Sequence, residues 1–279
     1  MNKQTLKLES VSKRFKKVRA LKNVSCEFNS GITALLGPNG AGKSTMMNII
    51  CTLLKQDAGT VSYNGQEIRK LGKLYLEKLS VQFQNQPMYK GDTAMEHMTF
   101  CGALKGLDPK LVKQQALELL KQFGIADTGR KPISSFSGGM RQRLALASTF
   151  LGDPQIILLD EPSAGLDIYE REVLKHYLCE LKKNRIIIVS THIVSDVENI
   201  ADDIVLLSEG KLYAQGSQQL LISQLQGKVW SVPEEMPVAV NTYYSNGQRI
   251  CHSNTLPCEG AMEKPADLTD VYFGCVKAR

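Results

Sequence analysis

Apolar and polar positions alternate with two different periods along this chain, and the changes of period divide it into elements. Short β-like runs open it at Lys7–Val11, Val24–Phe28 and Thr33–Leu36, and the pattern turns helical from Lys43 to about Leu53. Val61–Tyr63 followed by Asn64-Gly65 predicts a strand entering a tight turn, because that dipeptide tolerates the positive φ angles a hairpin requires. Leu79–Phe83 reads as another strand. From Thr93 to about Phe123 the period is helical, broken near Gly106 and restarted at Pro109, where a missing N–H costs nothing. Leu111, Ala116, Leu119, Leu120 and Phe123 supply the apolar face of that second helix.

From Gln155 strands and helices alternate: a strand at Ile156–Asp160, a helix at Tyr169–Lys182, a strand at Ile186–Ser190, a short helix at Val194–Ile200 and a strand at Ile204–Leu207. Continuous apolar strands separated by helices predict a sheet of parallel strands buried on both faces. After about Gln226 the periodicity weakens and Pro233, Pro237, Pro257 and Pro265 fall close together, so a small α+β appendage is expected over 227–279, behind a main domain at 1–226.

Composition narrows the class. Of 279 residues 43% are hydrophobic, enough for one large core. No apolar run approaches the roughly 20 residues that span a bilayer, and Met1–Lys7 lacks the apolar centre of a secretion signal, so the chain is expected in the cytoplasm. Seven cysteines without a Cys-x-x-Cys pair argue against a zinc site or a disulfide framework. A net charge of +6 suits a phosphate ligand or an anionic membrane surface and does not point to nucleic acid. Part of it sits in Lys13, Arg14, Lys16, Lys17 and Arg19, read as a solvated face.

Gly37-Pro38-Asn39-Gly40-Ala41-Gly42-Lys43-Ser44 matches G-x-x-x-x-G-K-S, lying after an apolar strand and opening a helix. The glycines let successive N–H groups turn inward around a phosphate, at the positive end of a helix. Lys43 brings a point charge to the β- and γ-phosphates, and the Ser44 hydroxyl is placed to ligate Mg2+. Ile156–Leu159 ends in Asp160-Glu161, and a buried parallel strand delivers its C-terminal end to the crevice where such sheets bind ligands. Asp160 then reaches the Mg2+, and Glu161 polarises the attacking water as a general base.

Ser137-Gly138-Gly139, followed by Met140-Arg141-Gln142-Arg143, resembles the signature motif of ABC transporter ATPases, and the resemblance runs over about residues 5–225. It implies an α/β fold: a P-loop NTPase core with a mostly parallel sheet, an antiparallel β subdomain, and a helical lobe at about 85–150 that carries the signature. ATP and Mg2+ are the implied ligands. Ser137, Gly138 and Gly139 form a second anion site that meets the residues 37–45 (Thr45 included) of a second ATPase subunit, a copy or a paralogue. Other residues are carried over by type and order: Phe15 as the aromatic stacked on adenine, with a core aromatic as the competing use; Gln84, with Gln82 and Gln86 as competitors, on Mg2+ and the attacking water; Asp167 in the loop Ser163–Asp167 at the dimer seam; and His192 at the γ-phosphate. Phe136 and Met140 depart from the commoner residues without removing a phosphate donor, and Ile168 stands where a proline often follows the loop aspartate, which bears only on the helix start.

Met140, the loop Ala164–Asp167 and the terminal Asp267-Leu268-Thr269-Asp270-Val271-Tyr272 resemble the ABC-2-type drug, antibiotic and lantibiotic-immunity exporters. That branch implies an integral-membrane permease in a separate chain, with this subunit peripheral on the inner face of the membrane. Met88, Tyr89, Met95, Met98 and Phe100 are candidates for gripping it, with the helical lobe's own core as the competing use. The alternatives are an ABC importer subunit or a non-transport ABC ATPase of translation or repair. A single phosphate loop, and a short globular interval between that loop and the signature, argue against the latter; the signature and His192 argue against a P-loop kinase or GTPase.

Overall fold

The computed structural model describes residues 4–84, 86–234, 242–245 and 247–277. Pro237 and the first three residues lie outside them.

Two long strands, β1 (Thr5–Phe15) and β2 (Val18–Asn29), form an antiparallel hairpin that leads into β3 (Gly31–Leu36) and helix α1 (Lys43–Ile50). Helix α1 ends three residues earlier than its apolar pattern suggests, because Thr52 takes a φ of +63° and leaves Leu53 exposed. β4 (Ala58–Tyr63) turns through Asn64 and Gly65, both at positive φ, into β5 (Gln66–Glu67), the hairpin the sequence predicts. Two single-turn helices, α2 (Ile68–Leu71) and α3 (Lys73–Leu76), precede β6 (Leu79–Gln82).

The helical segment comprises α4 (Ala94–Leu104), α5 (Pro109–Gln122) and α6 (Gly138–Phe150). Thr93 and Glu96 cap α4 reciprocally, and Asp108 caps α5 with Pro109 in its first turn. The buried face of α5 is Val112, Ala116, Leu119 and Leu120; Leu111, expected there, is 41% exposed. The correction follows from the α4 contact, where Gly102 lets Val112 pack directly against the backbone. β7 (Ile156–Asp160), α7 (Ile168–Leu181), β8 (Ile186–Thr191), β9 (Asp203–Ser208), β10 (Lys211–Gly216) and α8 (Gln218–Ser223) follow. The expected helix at Val194–Ile200 is one 3-10 turn at Val194–Asp196, stopped before Asn199 takes a φ of +70°. The last residues form β11 (Val229–Val232), β12 (Thr242–Ser245), β13 (Gln248–His252), β14 (Met262–Glu263) and α9 (Leu268–Lys277).

The described residues form three sheets. The first is antiparallel, in the order β2-β1-β4-β5; the central one runs β10-β9-β3-β8-β7-β6, with β10 antiparallel and the rest parallel; the third is antiparallel, β12-β13-β11-β14. Alternate residues of the central strands feed two different cores. Ile32, Ala34 and Leu36, with Ile157, Leu159, Ile187 and Val189, pack with the helical segment. Leu35, Ile156, Leu158, Ile186 and Ile188 pack with α1 and the first sheet. Each fully buried side chain contributes about 1.5–3 kcal/mol, which is why these strands are apolar at every position rather than every second one. Helix α9 returns to the first of these cores through Leu268, Val271 and Cys275.

No helix among the described residues is long and apolar enough to cross a membrane.

Candidate functional site

The parallel register decides which residues meet. β3 pairs with β8 so that Leu36 stands beside Thr191, and β7 pairs with β8 so that Asp160 stands beside Ser190. The next residues of all three strands, Gly37, Glu161 and His192, therefore emerge at one sheet edge, where a loop at the strand ends holds a ligand. A cavity of about 570 Å³ opens there, walled by Val18, Arg19, Ala20, residues 39–45, Gln84, Asp160, Glu161 and His192.

The phosphate loop is shaped by contacts only glycine permits. A Cβ at Gly37 would lie 2.4 Å from the Leu207 carbonyl oxygen, and one at Gly42 2.6 Å from the Ala20 carbonyl oxygen, at φ of +151° and +107°. Gly42 is the N-cap of α1, so the open amides of the first helical turn face the cavity with no acidic residue among them. Lys43 is buried and donates to the carbonyls of Gly37 at 2.6 Å and Pro38 at 3.3 Å. Burial pushes its ammonium pKa down, and the Glu161 and Asp160 carboxylates oppose that shift. A phosphate entering the loop offers the ammonium a better partner than two neutral carbonyls.

On the opposite wall the Ser44 hydroxyl donates to Asp160 Oδ2 at 3.4 Å. Burial raises the Asp160 pKa, so its charged form gains from a cation. One hydroxyl, one carboxylate and the exposed Gln84 amide make an oxygen-rich donor set of the kind Mg2+ prefers. Ser44, Asp160 and Gln84 would hold that ion. The neighbouring Gln82, by contrast, is wholly buried at the end of β6.

Glu161 has a φ of +50°, which swings its side chain out of the strand line and back toward β8. Its carboxylate accepts from Thr191 Oγ1 at 3.2 Å and faces His192 Nδ1 at 2.7 Å. Its side chain is 12% exposed and that of His192 50%. Thr191 received no role from the sequence, although its place between a buried strand and His192 is the signal that could have marked it.

The remaining expected site residues lie apart. Phe15 is 46% exposed at the end of β1, with the Lys13 ammonium 5.6 Å from its ring centroid, and it does not wall the cavity; Val18, Arg19 and Ala20 of the adjoining strand do. Ser137 is the N-cap of α6 and accepts from the Met140 N–H, so the signature turn is a helix N-terminus with open amides. Ser137, Gly138 and Gly139 do not wall this chain's cavity. A Cβ at Gly139 would lie 3.1 Å from the Gly165 carbonyl oxygen, which puts the signature against the Ser163–Asp167 loop. Asp167 caps α7 in a reciprocal pair with Glu170, and beside it Ile168 and Tyr169 are 85% and 77% exposed. Of the apolar residues in the helical segment, Met98 is core and Met88 and Met95 pack partly against it. Tyr89 and Phe100 are exposed and meet edge to face, 5.7 Å apart.

Comparison with known proteins fits this geometry. The family model described as "ABC transporter" matches residues 21–164. The uncharacterized ABC transporter ATP-binding protein YxlF of Bacillus subtilis is 34% identical, over 98% of this chain and 100% of its own length. The lantibiotic transport ATP-binding protein SrtF of Streptococcus pyogenes is 32% identical (77% and 93%), and a probable sulfate/thiosulfate import ATP-binding protein of Chlorella vulgaris is 36% identical (77% and 92%). A bacterial ABC transporter cassette solved as a dimer superposes with a TM-score of 0.70 at 27% identity, over 76% of this chain and 98% of that one.

Proposed function

The chain belongs to the ABC transporter family of ATP-binding subunits, and from that premise we propose that it hydrolyses ATP between two such subunits to drive export through a separate membrane permease. One observation carries the reading: the cavity that unites Lys43, Ser44, Asp160, Glu161 and His192 lacks the signature turn, which opens a second helix N-terminus elsewhere on the same chain. Two incomplete anion sites on one molecule call for a second molecule arranged head to tail. The exposed Ile168 and Tyr169, next to the signature turn, suit burial in that contact. The partner is a second copy or a paralogue.

In this mechanism the loop amides and Lys43 hold the β- and γ-phosphates. Mg2+, when bound, neutralises phosphate charge, held by Ser44, Asp160 and Gln84. Glu161 takes a proton from the water that attacks the γ-phosphorus in line, and the bond to the bridging oxygen breaks to leave ADP and phosphate. Thr191 and His192 hold the Glu161 carboxylate toward that water, with His192 exposed enough to meet the γ-phosphate as well. Phe15 is free to stack on the adenine ring as it enters.

Tyr89, Phe100 and Leu104 are exposed on or just before α4 and Leu76 on α3, and Leu76 and Leu104 wall a cavity of about 460 Å³ between α3, the end of α4 and the 151–154 turn. We assign this face to a cytoplasmic helix of the permease, which keeps the subunit peripheral on the inner face of the membrane. Export is favoured by the terminal 267–272 motif, which resembles the exporter branch. The test is an ATPase assay across a dilution series, followed by transport in inside-out membrane vesicles containing the permease. Specific activity that falls on dilution and ATP-driven accumulation inside the vesicles are expected. Constant activity in a dilute monomer refutes the shared site, and ATP-driven efflux from the vesicles refutes export.

A further inference from the structure

The terminal 267–272 stretch lies more than 60 residues past the last strand of the nucleotide site, yet the fold brings its helix directly behind that site. Helix α9 packs against β9 and against the 3-10 turn Val194–Asp196. Its Leu268, Val271 and Cys275 share a core with Val197, Ile200, Ile204 and Leu206. Cys275 Sγ donates to the Leu207 carbonyl at 3.7 Å, and Ser208 Oγ donates to the Cys275 carbonyl at 3.5 Å. That Leu207 carbonyl is the one that abuts Gly37, the first residue of the phosphate loop. One helix thus supports both the strand beneath the loop and the turn that follows His192.

The turn is wired to the catalytic side. Asp196 accepts from Ser163 Oγ and pairs with Arg171 at 3.2 Å, and Arg171 Nε donates to the Leu166 carbonyl. On the upstream side the Ile193 N–H donates to Thr191 Oγ1, the same hydroxyl that donates to Glu161. The half-buried Tyr272 packs on the core from α9, and its hydroxyl pKa is pushed up by burial and by the nearby Cys275 and Glu161.

The helix is itself anchored. Asp267 and Asp270 cap its start reciprocally, at 3.0 and 2.7 Å, and Lys264 reaches both carboxylates. Asp270 is wholly buried and accepts from the Tyr243 hydroxyl, while Tyr243 stacks on Phe273. Burying a carboxylate is costly unless it is well bonded, and the Tyr243, Lys264 and Asp267 contacts of Asp270 supply that bonding and fix the start of the helix.

We propose that α9 is a brace that sets the position of the Glu161–His192 pair, with the partly buried Tyr272 among the side chains that seat the helix on the shared core. This rests on the catalytic reading of Glu161 and His192 above. The appended segment then has a part in turnover, through the turn that follows His192.

The test compares Tyr272→Ala, Tyr272→Phe and, as a control on the exposed face of β12, Tyr244→Ala in steady-state hydrolysis, ATP binding and thermal unfolding. Tyr272→Ala is expected to lower kcat about tenfold, the size of a sub-ångström misplacement, with KM and ATP affinity unchanged. Tyr272→Phe, which keeps the ring, restores most of the rate, and Tyr244→Ala matches the wild type. An unchanged kcat in Tyr272→Ala overturns the brace, as does a loss of ATP affinity in step with the rate. Since Tyr272→Ala could act by loosening the fold, Asp270→Asn supplies a second arm: it frees the helix start and is expected to lower kcat with the same unchanged KM. If the wild-type chain binds and hydrolyses ATP while both variants turn over normally, only the brace fails; if the wild type hydrolyses none, the reading of the site fails with it.

Discussion

Replacing Glu161 with glutamine isolates one chemical property. The amide fills the same space, in a side chain only 12% exposed, and its oxygen still accepts from Thr191 Oγ1. The phosphate contacts proposed for Lys43, Ser44 and the loop amides are untouched. What disappears is a carboxylate able to take the proton of the attacking water. General bases are worth about 10²–10⁴ in rate, or about 2.7–5.4 kcal/mol at 1.36 kcal/mol per decade. Hydrolysis by Glu161→Gln should therefore fall by at least two decades while ATP binding persists. Bound nucleotide at a hundredfold excess over Kd adds about 2.7 kcal/mol to stability, roughly 5 °C in Tm for a chain of this length. Phosphate release, an ATP thermal-shift titration and sizing with ATP measure the three effects together, and sizing should show a nucleotide-bound dimer. Turnover within about fivefold of the wild type would place the base elsewhere and remove the reason given for the 2.7 Å contact with His192.

Further expectations follow from single contacts. Lys43→Ala removes the buried cation of the loop and should abolish ATP binding in a fluorescence titration; robust hydrolysis by it would contradict the assigned cradle. Ser137→Arg should spare ATP binding by the monomer yet prevent dimer formation in the Glu161→Gln background, as sizing with ATP will tell. Because burial raises the Asp160 pKa, proton competition with Mg2+ begins at a higher pH than for an ordinary aspartate; the Mg2+ concentration needed for half-maximal hydrolysis should rise on acidification in the wild type, with the metal-independent nucleotide affinity less affected. Gly102→Ala should destabilise by about 1–3 kcal/mol in urea unfolding, since its Cβ would sit 2.4 Å from Val112 Cγ2; Val112→Ala in the same chain should recover part of that loss, and additive effects would count against the contact.

Local chemistry made much of this protein readable. The glycines of 37–42 specify a backbone that only they can adopt, the apolar runs Ile156–Leu159 and Ile186–Val189 specify strands covered on both faces, and Asp160 ends its strand while Glu161 and His192 sit one residue past the strand ends. Pro109 and Thr93 set helix starts in the same local way. These features were legible because the physical cause of each lies within a few residues of it.

Packing partners were not legible. Whether Met98 faces the core or a partner, whether Leu111 or Val112 is buried, and whether Phe15 or Val18–Ala20 walls the nucleotide cavity depends on which neighbour the collapsed chain presents, and an apolar side chain gains alike from any of them. The same holds for α9. Its sequence was read only as part of a small α+β appendage, and nothing local says that its apolar residues would find β9 and the turn after His192 rather than their own small sheet. Backbone conformation is settled by sterics near each residue, whereas the seating of the terminal helix behind the phosphate loop was settled by the long-range closure of the whole core.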